Sequence, residues 1–429
     1  MKLMDKNLWR VRALTRALLL TALGACTTTS EAPPPALPEP AVEAVIAAPV
    51  PVLAPAAASG VALPFEEALT HAANTLLSQT GTSAHSEKHL LVIDPLIDGV
   101  SGMQSSATTT MASRIGELVR GHYPQFDLQS FSAANVRRSP KVLLGTFTAV
   151  NSEGHTTGTR EAYRICLVMA DLTSGTVVAK ATAHSSMLGV DHSPTPYFQD
   201  SPAWMKEGPT EGYVNTCQTS KPGDAIQPAY LDSILAGTLI SAATAAYDAG
   251  RYADAFDRFT SALALPTGHQ LRVFSGLYLA NLKLGHQVAA NDAFSRIVDY
   301  GLATNRLAVK FLFKPGTAAL VADKQASAHY SMWMKAIARR AAQSKSCLEV
   351  IGHTSRSGAE PLNQRLSQLR AAYIKKRLEG EAPLAKRITA QGAGSRENLI
   401  GTGKDDISDA LDRRVVFQLT ACGGSAQYY

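Results

Sequence analysis

The chain opens with an apolar run from Ala17 to Ala25, preceded by Lys2, Lys6, Arg10, Arg12 and Arg16 against the single acid Asp5. The run is about half the roughly 20 residues a membrane-crossing helix needs, so residues 1–25 read as a cleavable export signal. From residue 26 to 64 no helical or strand period survives, and Pro, Ala and Val dominate, as in Pro33-Pro34-Pro35 and Pro49-Val50-Pro51-Val52. Such a stretch predicts an extended tether, on the order of 100 Å long at about 3.1 Å per residue in polyproline II form.

Periodicity returns at residue 65. A helical pattern over Phe65 to Leu77 precedes the apolar run Leu90-Leu91-Val92-Ile93, which predicts a buried strand, and a second helix spans Thr108 to Arg120. Further strands are expected at Phe126-Asp127-Leu128, at Lys141 to Val150, and at Tyr163 to Ala170 with Thr176 to Ala183. The last two are joined across Asp171-Leu172-Thr173-Ser174-Gly175, which has hairpin chemistry. Residues 65–230 therefore read as a central α/β domain. Within it, Gly189 to Pro228 is punctuated by prolines and expected to be irregular, a functional loop or a flap.

Residues 231–302 are helical and repeat themselves: Gly250, Ala255 and Phe259 recur 35 residues later as Gly285, Ala290 and Phe294. Small residues let antiparallel helices touch and the aromatic fills the space between them, so a spacer of short helical hairpins is expected to pack on a neighbouring domain. Residues 303–429 alternate again, with strands predicted at Leu307 to Phe313, Cys347 to Gly352, Arg387 to Gly392 and Arg414 to Leu419, and helices at Thr317 to Gln343 and Asn363 to Leu378. The βαβαββ order implies one sheet backed by helices.

Composition adds limits. With 45% hydrophobic and 18% charged residues and a mean hydropathy of -0.02, the 429-residue chain is neither a multi-span membrane protein nor wholly disordered, and is long enough for several domains. The net charge of +6 falls to +2 once residues 1–25 are set aside, so the basicity belongs largely to the export signal and nucleic acid is not an expected partner. By contrast, Arg306 to Cys422 holds 20 Lys and Arg against 10 Asp and Glu, a surplus suited to an anionic polymer.

Setting Cys26 aside, four cysteines remain, an even number suited to an oxidising compartment. Disulfides Cys166–Cys217 and Cys347–Cys422 are expected because each pair lies inside one domain, with buried free thiols as the alternative. His184 and His192 flank the irregular segment without a thiol or acid series beside them, so local satisfaction is expected rather than a metal site. The phosphate-cradling GxxxxGK[ST] pattern fails because Asp405 follows Lys404, and HExxH and GxSxG are absent. A non-enzymatic protein without cofactor or metal is the expectation.

Resemblances to known families sharpen this picture. Leu23-Gly24-Ala25-Cys26 resembles a bacterial lipobox, which implies a mature chain starting at a lipidated Cys26 and inserted in lipid. Thr27, rather than aspartate, follows the cysteine, so the outer membrane, with the protein facing the periplasm, is the implied location. The strand around Leu90, Lys141-Val142-Leu143-Leu144-Gly145-Thr146, and Cys166 through Val178 are similar to the lipoprotein family that includes the curli-secretion protein CsgG, the penicillin-binding-protein activator LpoB and the flagellar protein FlgO. The repeat in 231–302 resembles about two tetratricopeptide units.

The most specific resemblance lies at the C-terminus. Gly352-His353-Thr354-Ser355-Arg356-Ser357-Gly358, Asn363 through Ala371, Gln391-Gly392-Ala393-Gly394 and Asp412-Arg413-Arg414-Val415 are identified as blocks of an OmpA-like peptidoglycan-binding domain. The resemblance implies that Arg370 clamps the carboxylate of diaminopimelate in the peptidoglycan stem peptide, a task a guanidinium fork suits. It also implies that Thr354 and Asn363 are neighbouring polar groups, Leu366 an apolar anchor on the helix, and Arg414 a second arginine in the closing strand. Ser355 stands where the family usually places an aspartate. Losing a charge-assisted hydrogen bond of about 1.5–3 kcal/mol weakens binding roughly tenfold to a hundredfold unless Glu360, Asp405 or Asp406 substitutes. The functions implied are envelope anchor and assembly scaffold with further envelope proteins as partners, or alternatively a synthase-activating lipoprotein or part of a secretion channel.

Overall fold

The computed structural model describes residues 62–422 apart from 81–87, 315, 322–323, 345 and 405, and gives the backbone alone for 324–328. The export signal, Cys26 and the tether up to residue 61 lie outside the described residues.

The first layer contains α1 (Phe65–Gln79), β1 (His89–Ile93), β2 (Ile97–Asp98), α2 (Ser106–His122), β3 (Phe126–Gln129), α3 (Ala133–Val136), β4 (Lys141–Val150), β5 (Ala162–Asp171) and β6 (Thr176–Ser186). Its sheet runs β3-β1-β4-β5-β6, with β2 also on β4. The β3, β1 and β4 strands are parallel, while β4, β5 and β6 form an antiparallel meander. Nearly every residue of β4 is buried because both faces are covered. Leu143 and Phe147 join Leu69, Leu76, Met111 and Ile115 from α1 and α2, whereas Val142 and Leu144 turn to the opposite cluster. The start of α2 is fixed by a capping box, in which Ser105 and Thr108 bond each other's backbone N–H.

The Gly189 to Pro228 segment departs from its expected irregularity. It holds α4 (Pro196–Asp200), β7 (Ala203–Trp204) and α5 (Gly208–Gln218), and α6 (Pro228–Leu231) follows. Its prolines mislead because Pro196, Pro209 and Pro228 occupy the first turn of these helices, where a missing N–H costs nothing. The Cys166–Cys217 disulfide fastens α5 to β5 with a Cα–Cα distance of 6.2 Å, and α5 and α6 close the second face of the sheet with Tyr213 and Tyr230.

Four helices follow: α7 (Ile234–Asp248), α8 (Tyr252–Leu263), α9 (Leu271–Lys283) and α10 (Gln287–Ala303). The 35-residue offset holds in three dimensions. Gly250 and Gly285 follow α7 and α9, and the pairs Ala255 with Ala290 and Phe259 with Phe294 are fully buried on α8 and α10.

The last layer comprises β8 (Leu307–Val309), α11 (Lys324–Gln343), β9 (Cys347–Gly352), α12 (Glu360–Glu381), β10 (Ile388–Gly392), a 3₁₀ turn at Ser408–Asp412 and β11 (Val415–Thr420). Its sheet order is β10-β9-β11-β8-β7, so a strand from the middle of the chain forms one edge. The predicted strand over 307–313 stops at Val309, since the Lys310 N–H bonds the Pro202 carbonyl and its ammonium caps the carbonyls of Phe198 and Gln199. The predicted helix from Thr317 starts instead at Lys324, because Lys314 to Thr317 forms a turn with the Thr317 N–H donating to the Lys314 carbonyl. Cys347 and Cys422 form the second disulfide, Cα–Cα 5.0 Å, tying the start of β9 to the chain beyond β11.

The helical pairs and this last sheet share one core. The Trp333 ring of α11 stacks on Phe294 of α10 at 5.3 Å, and its indole N–H donates to the Tyr278 hydroxyl at 2.9 Å.

One carboxyl in the first layer sets a pH dependence. Asp94, just beyond β1, accepts a 2.7 Å hydrogen bond from the Tyr230 hydroxyl, and burial pushes its pKa up to about 7. Its folded form holds the proton that the unfolded chain has released by about pH 4, so its stabilising contribution is full at low pH and is lost as pH rises through 7. Urea unfolding between pH 4.5 and 8 should therefore show a fall in stability with rising pH that is shallower in Asp94→Asn, and parallel curves would overturn this.

Candidate functional site

The candidate site is built where β9, α12 and the loop before β11 converge. Gly352 ends β9 and lets α12 lie against the sheet: a Cβ there would stand 2.2 Å from the Ser367 carbonyl oxygen. Gly392, its partner on β10, meets the same residue through Ser367 Oγ. The Ser367 hydroxyl accepts from the Gly394 N–H at 2.9 Å, which joins the glycine loop after β10 to the helix.

The chain then turns through His353 to Ser357, where the N–H of His353 donates to the Arg414 carbonyl and that of Thr354 to Gly394. Thr354 and Ser355 are buried there. The Ser355 hydroxyl lies 3.3 Å from that of Ser357, and Asn363 at the start of α12 donates its amide to the Ser357 carbonyl at 3.1 Å. Thr354, Ser355 and Asn363, anticipated as neighbours, therefore stand around one turn, while Leu366 is half-buried a turn further along α12.

Arg370 lies deeper than expected. It is 3% exposed, its Nε donates to the Thr317 carbonyl at 3.1 Å, and its guanidinium sits 4.8 Å from the centroid of the Phe313 ring. Phe313 and Thr317 thus lie against the arginine anticipated at an open rim. Of the acids considered as substitutes for the missing aspartate, Glu360 is committed to the N–H and hydroxyl of Ser395, Asp406 to the N–H and hydroxyl of Ser408, and Asp405 lies outside the described residues.

Arg414 faces another way, into an open cleft of about 780 Å³ between this rim and the β4–β5 loop. Its Nη2 donates to the Glu397 carbonyl at 3.1 Å, and burial draws its pKa down to about 10. Behind it Asp412 accepts the N–H groups of Leu399, Ile400 and Gly401 at 2.6, 3.0 and 2.7 Å, which shapes the loop forming the cleft wall, although burial raises its pKa to about 6. His353 Nδ1 is 3.8 Å from Glu397, and burial holds the imidazole neutral by lowering its pKa well below the usual value.

The opposite wall carries a group absent from the sequence reading. Arg160 at the end of the β4–β5 loop is buried and lines the cleft, and Arg356 donates to the Thr159 hydroxyl at 2.9 Å across it. An arginine in an ordinary loop, far upstream of the first OmpA-like block, gives no local sign of this juxtaposition. His184 and His192 part company: His184 lies on β6, while His192 is buried within 3.4 Å of the Ser105 hydroxyl and 3.8 Å of Asp98.

Comparison with known proteins bears on the C-terminal layer. The model of the OmpA family matches residues 312–410. The periplasmic domain of Helicobacter pylori MotB (residues 78–256) is 14% identical with a TM-score of 0.23, covering 27% of this chain and 74% of that one. The cell wall anchor of the T6SS from Pseudomonas aeruginosa is 23% identical with a TM-score of 0.22, covering 27% of this chain and 80% of that one. Among curated sequences, photosystem I P700 chlorophyll a apoprotein A2 of Gloeobacter violaceus is 37% identical over 67 residues. That match covers 16% of this chain and spans only 8% of the relative's length.

Proposed function

With residues 312–410 forming an OmpA-family domain, we propose that the protein is an outer-membrane lipoprotein that holds peptidoglycan non-covalently through this domain and acts as anchor and scaffold for an envelope assembly. The observation that carries the reading is the turn after β9, where Thr354, Ser355 and Asn363 gather at the start of α12, the helix that also carries Arg370. In this reading Cys26 is acylated and the tether spans the gap to the wall. Two weak attachments, lipid and peptidoglycan, raise overall avidity without new contacts. The paired helices α7 to α10, read as tetratricopeptide-like, and the α/β layer are the surfaces offered to envelope partners.

For the stem peptide to engage Arg370, a carboxylate oxygen takes the place that the Thr317 carbonyl holds on Nε. This exchange suits a site closed in the free protein, because the guanidinium keeps a partner and the Phe313 ring face in both states. Ser355 supplies a hydroxyl where a carboxylate would attract an ammonium group, so affinity is expected to rest on the arginines.

Sedimentation with purified sacculi tests the proposal. Wild type should pellet, and Arg370→Ala should remain largely in the supernatant with unchanged circular dichroism. Equal pelleting of both proteins removes the assigned site, and failure of wild type to pellet removes peptidoglycan as the ligand.

A further inference from the structure

We propose that the β4–β5 loop of the α/β layer completes the C-terminal site, and that Arg160 and Arg414 together form a subsite for a carboxylate in the cleft between them. The inference extends the peptidoglycan reading by adding a contact from outside the OmpA-family domain. It rests on that reading for the identity of the polymer, but the anion subsite stands on its own geometry.

The two side chains are 8% and 5% exposed, yet both line an open cleft of about 780 Å³. Arg160 uses Nη1 on the Gly158 carbonyl at 2.7 Å and Arg414 uses Nη2 on the Glu397 carbonyl. Nε of Arg160 and both Nε and Nη1 of Arg414 have no hydrogen-bond partner among the described residues. A buried donor stripped of water and left unpaired is destabilising, and charged donors are the most costly. An oxyanion entering the cleft supplies acceptors to several of them at once, and a carboxylate matches the planar fork of a guanidinium.

Asp412, Asp98 and Asp409 attract the charge of Arg160 from nearby, but each also accepts other groups: Asp412 takes three backbone N–H groups, Asp98 those of Val100 and Ser101, and Asp409 the N–H and hydroxyl of Thr402. Glu360 bonds Ser395, and the Glu397 carboxylate is largely exposed near His353. Arg356 and Arg396 add two more positive charges to the lining, against Glu397 and Glu360, the latter 3.7 Å from Arg396. The Arg160 wall is also fixed in place. Asn151 gathers the loop by accepting from the N–H groups of Glu153 and His155, and Arg356 ties Thr159 to the C-terminal layer. Arg160 lies close against Gly401, where a Cβ would meet Nη2 at 3.1 Å; with φ at +69° this position favours glycine on two counts.

Calorimetric titration of the full chain with glutarate and, separately, inorganic phosphate at low ionic strength tests the subsite without peptidoglycan. Wild type and a control, Arg296→Gln on α10, should bind glutarate in preference to phosphate, and Arg160→Gln should lose about tenfold or more in glutarate affinity. Arg160→Lys retains the charge without the fork and should fall between the two, which decides the matter if the glutamine variant does not fold. Equal affinity of wild type and both Arg160 variants, or no glutarate binding by wild type, overturns the subsite, and a preference for phosphate overturns the carboxylate assignment. Loss of sacculus binding by wild type with glutarate binding intact would instead count against the peptidoglycan reading alone.

Discussion

Trp333→Ala is expected to lower the unfolding free energy by about 3–5 kcal/mol, the range for truncating a large aromatic in a packed core. The indole is buried between layers: besides stacking on Phe294 it meets Tyr330 at 5.4 Å and Phe311 at 5.9 Å. Its removal leaves a void bounded by rings from α10, α11 and the stretch after β8, and it also deprives the Tyr278 hydroxyl of a donor. Guanidinium unfolding should show a lower midpoint at unchanged slope. Trp333→Phe should recover part of the loss by restoring stacking without the N–H. A change below about 1 kcal/mol for the alanine variant would mean that the helical pairs and the C-terminal sheet do not depend on this contact.

The second large effect belongs to the Cys166–Cys217 bridge. It closes a loop of sequence separation 51, and by the chain-entropy account such a closure constrains the unfolded ensemble by about 4 kcal/mol. The double variant Cys166→Ala/Cys217→Ala also loses two buried side chains at the joint between β5 and α5. Tyr213 on α5, whose hydroxyl accepts the Gly145 N–H of β4 at 2.9 Å, should then be held less tightly. The expected readout is a lower unfolding midpoint under oxidising conditions, with dithiothreitol no longer shifting the variant through this bridge. An unchanged midpoint would show that α5 is held by packing alone.

Much of this architecture was legible from local pattern. The buried runs of β4 and β9 and the turn between β5 and β6 place their strands because run length, turn chemistry and burial agree. The two disulfides follow from parity and from each pair lying inside one domain. The 35-residue echo of Phe259 in Phe294 marks positions that are both fully buried, one on α8 and one on α10. Three features could not be read that way. Residues 196–218 hid their helices because proline opens a first turn as readily as it breaks a later one. The early end of β8 depends on Lys310 finding carbonyls at 198, 199 and 202, a long-range match. In the site, the sequence placed Thr354, Ser355 and Asn363 together, but the contacts of Phe313 and Thr317 with Arg370 and the facing Arg160 arise from tertiary approach, which carries no periodic signature.

The two-residue strand β7 has a consequence for anyone who would cut the molecule. Ala203 and Trp204 pair with Val309 and Ala308, and so occupy the outer side of β8. A fragment begun after residue 304, as the family match at 312–410 invites, would bare that row of amides and carbonyls together with the apolar side chains of Leu307 and Val309. Unprotected edges of this kind recruit other chains, so such a fragment should self-associate or precipitate where the uncut protein does not.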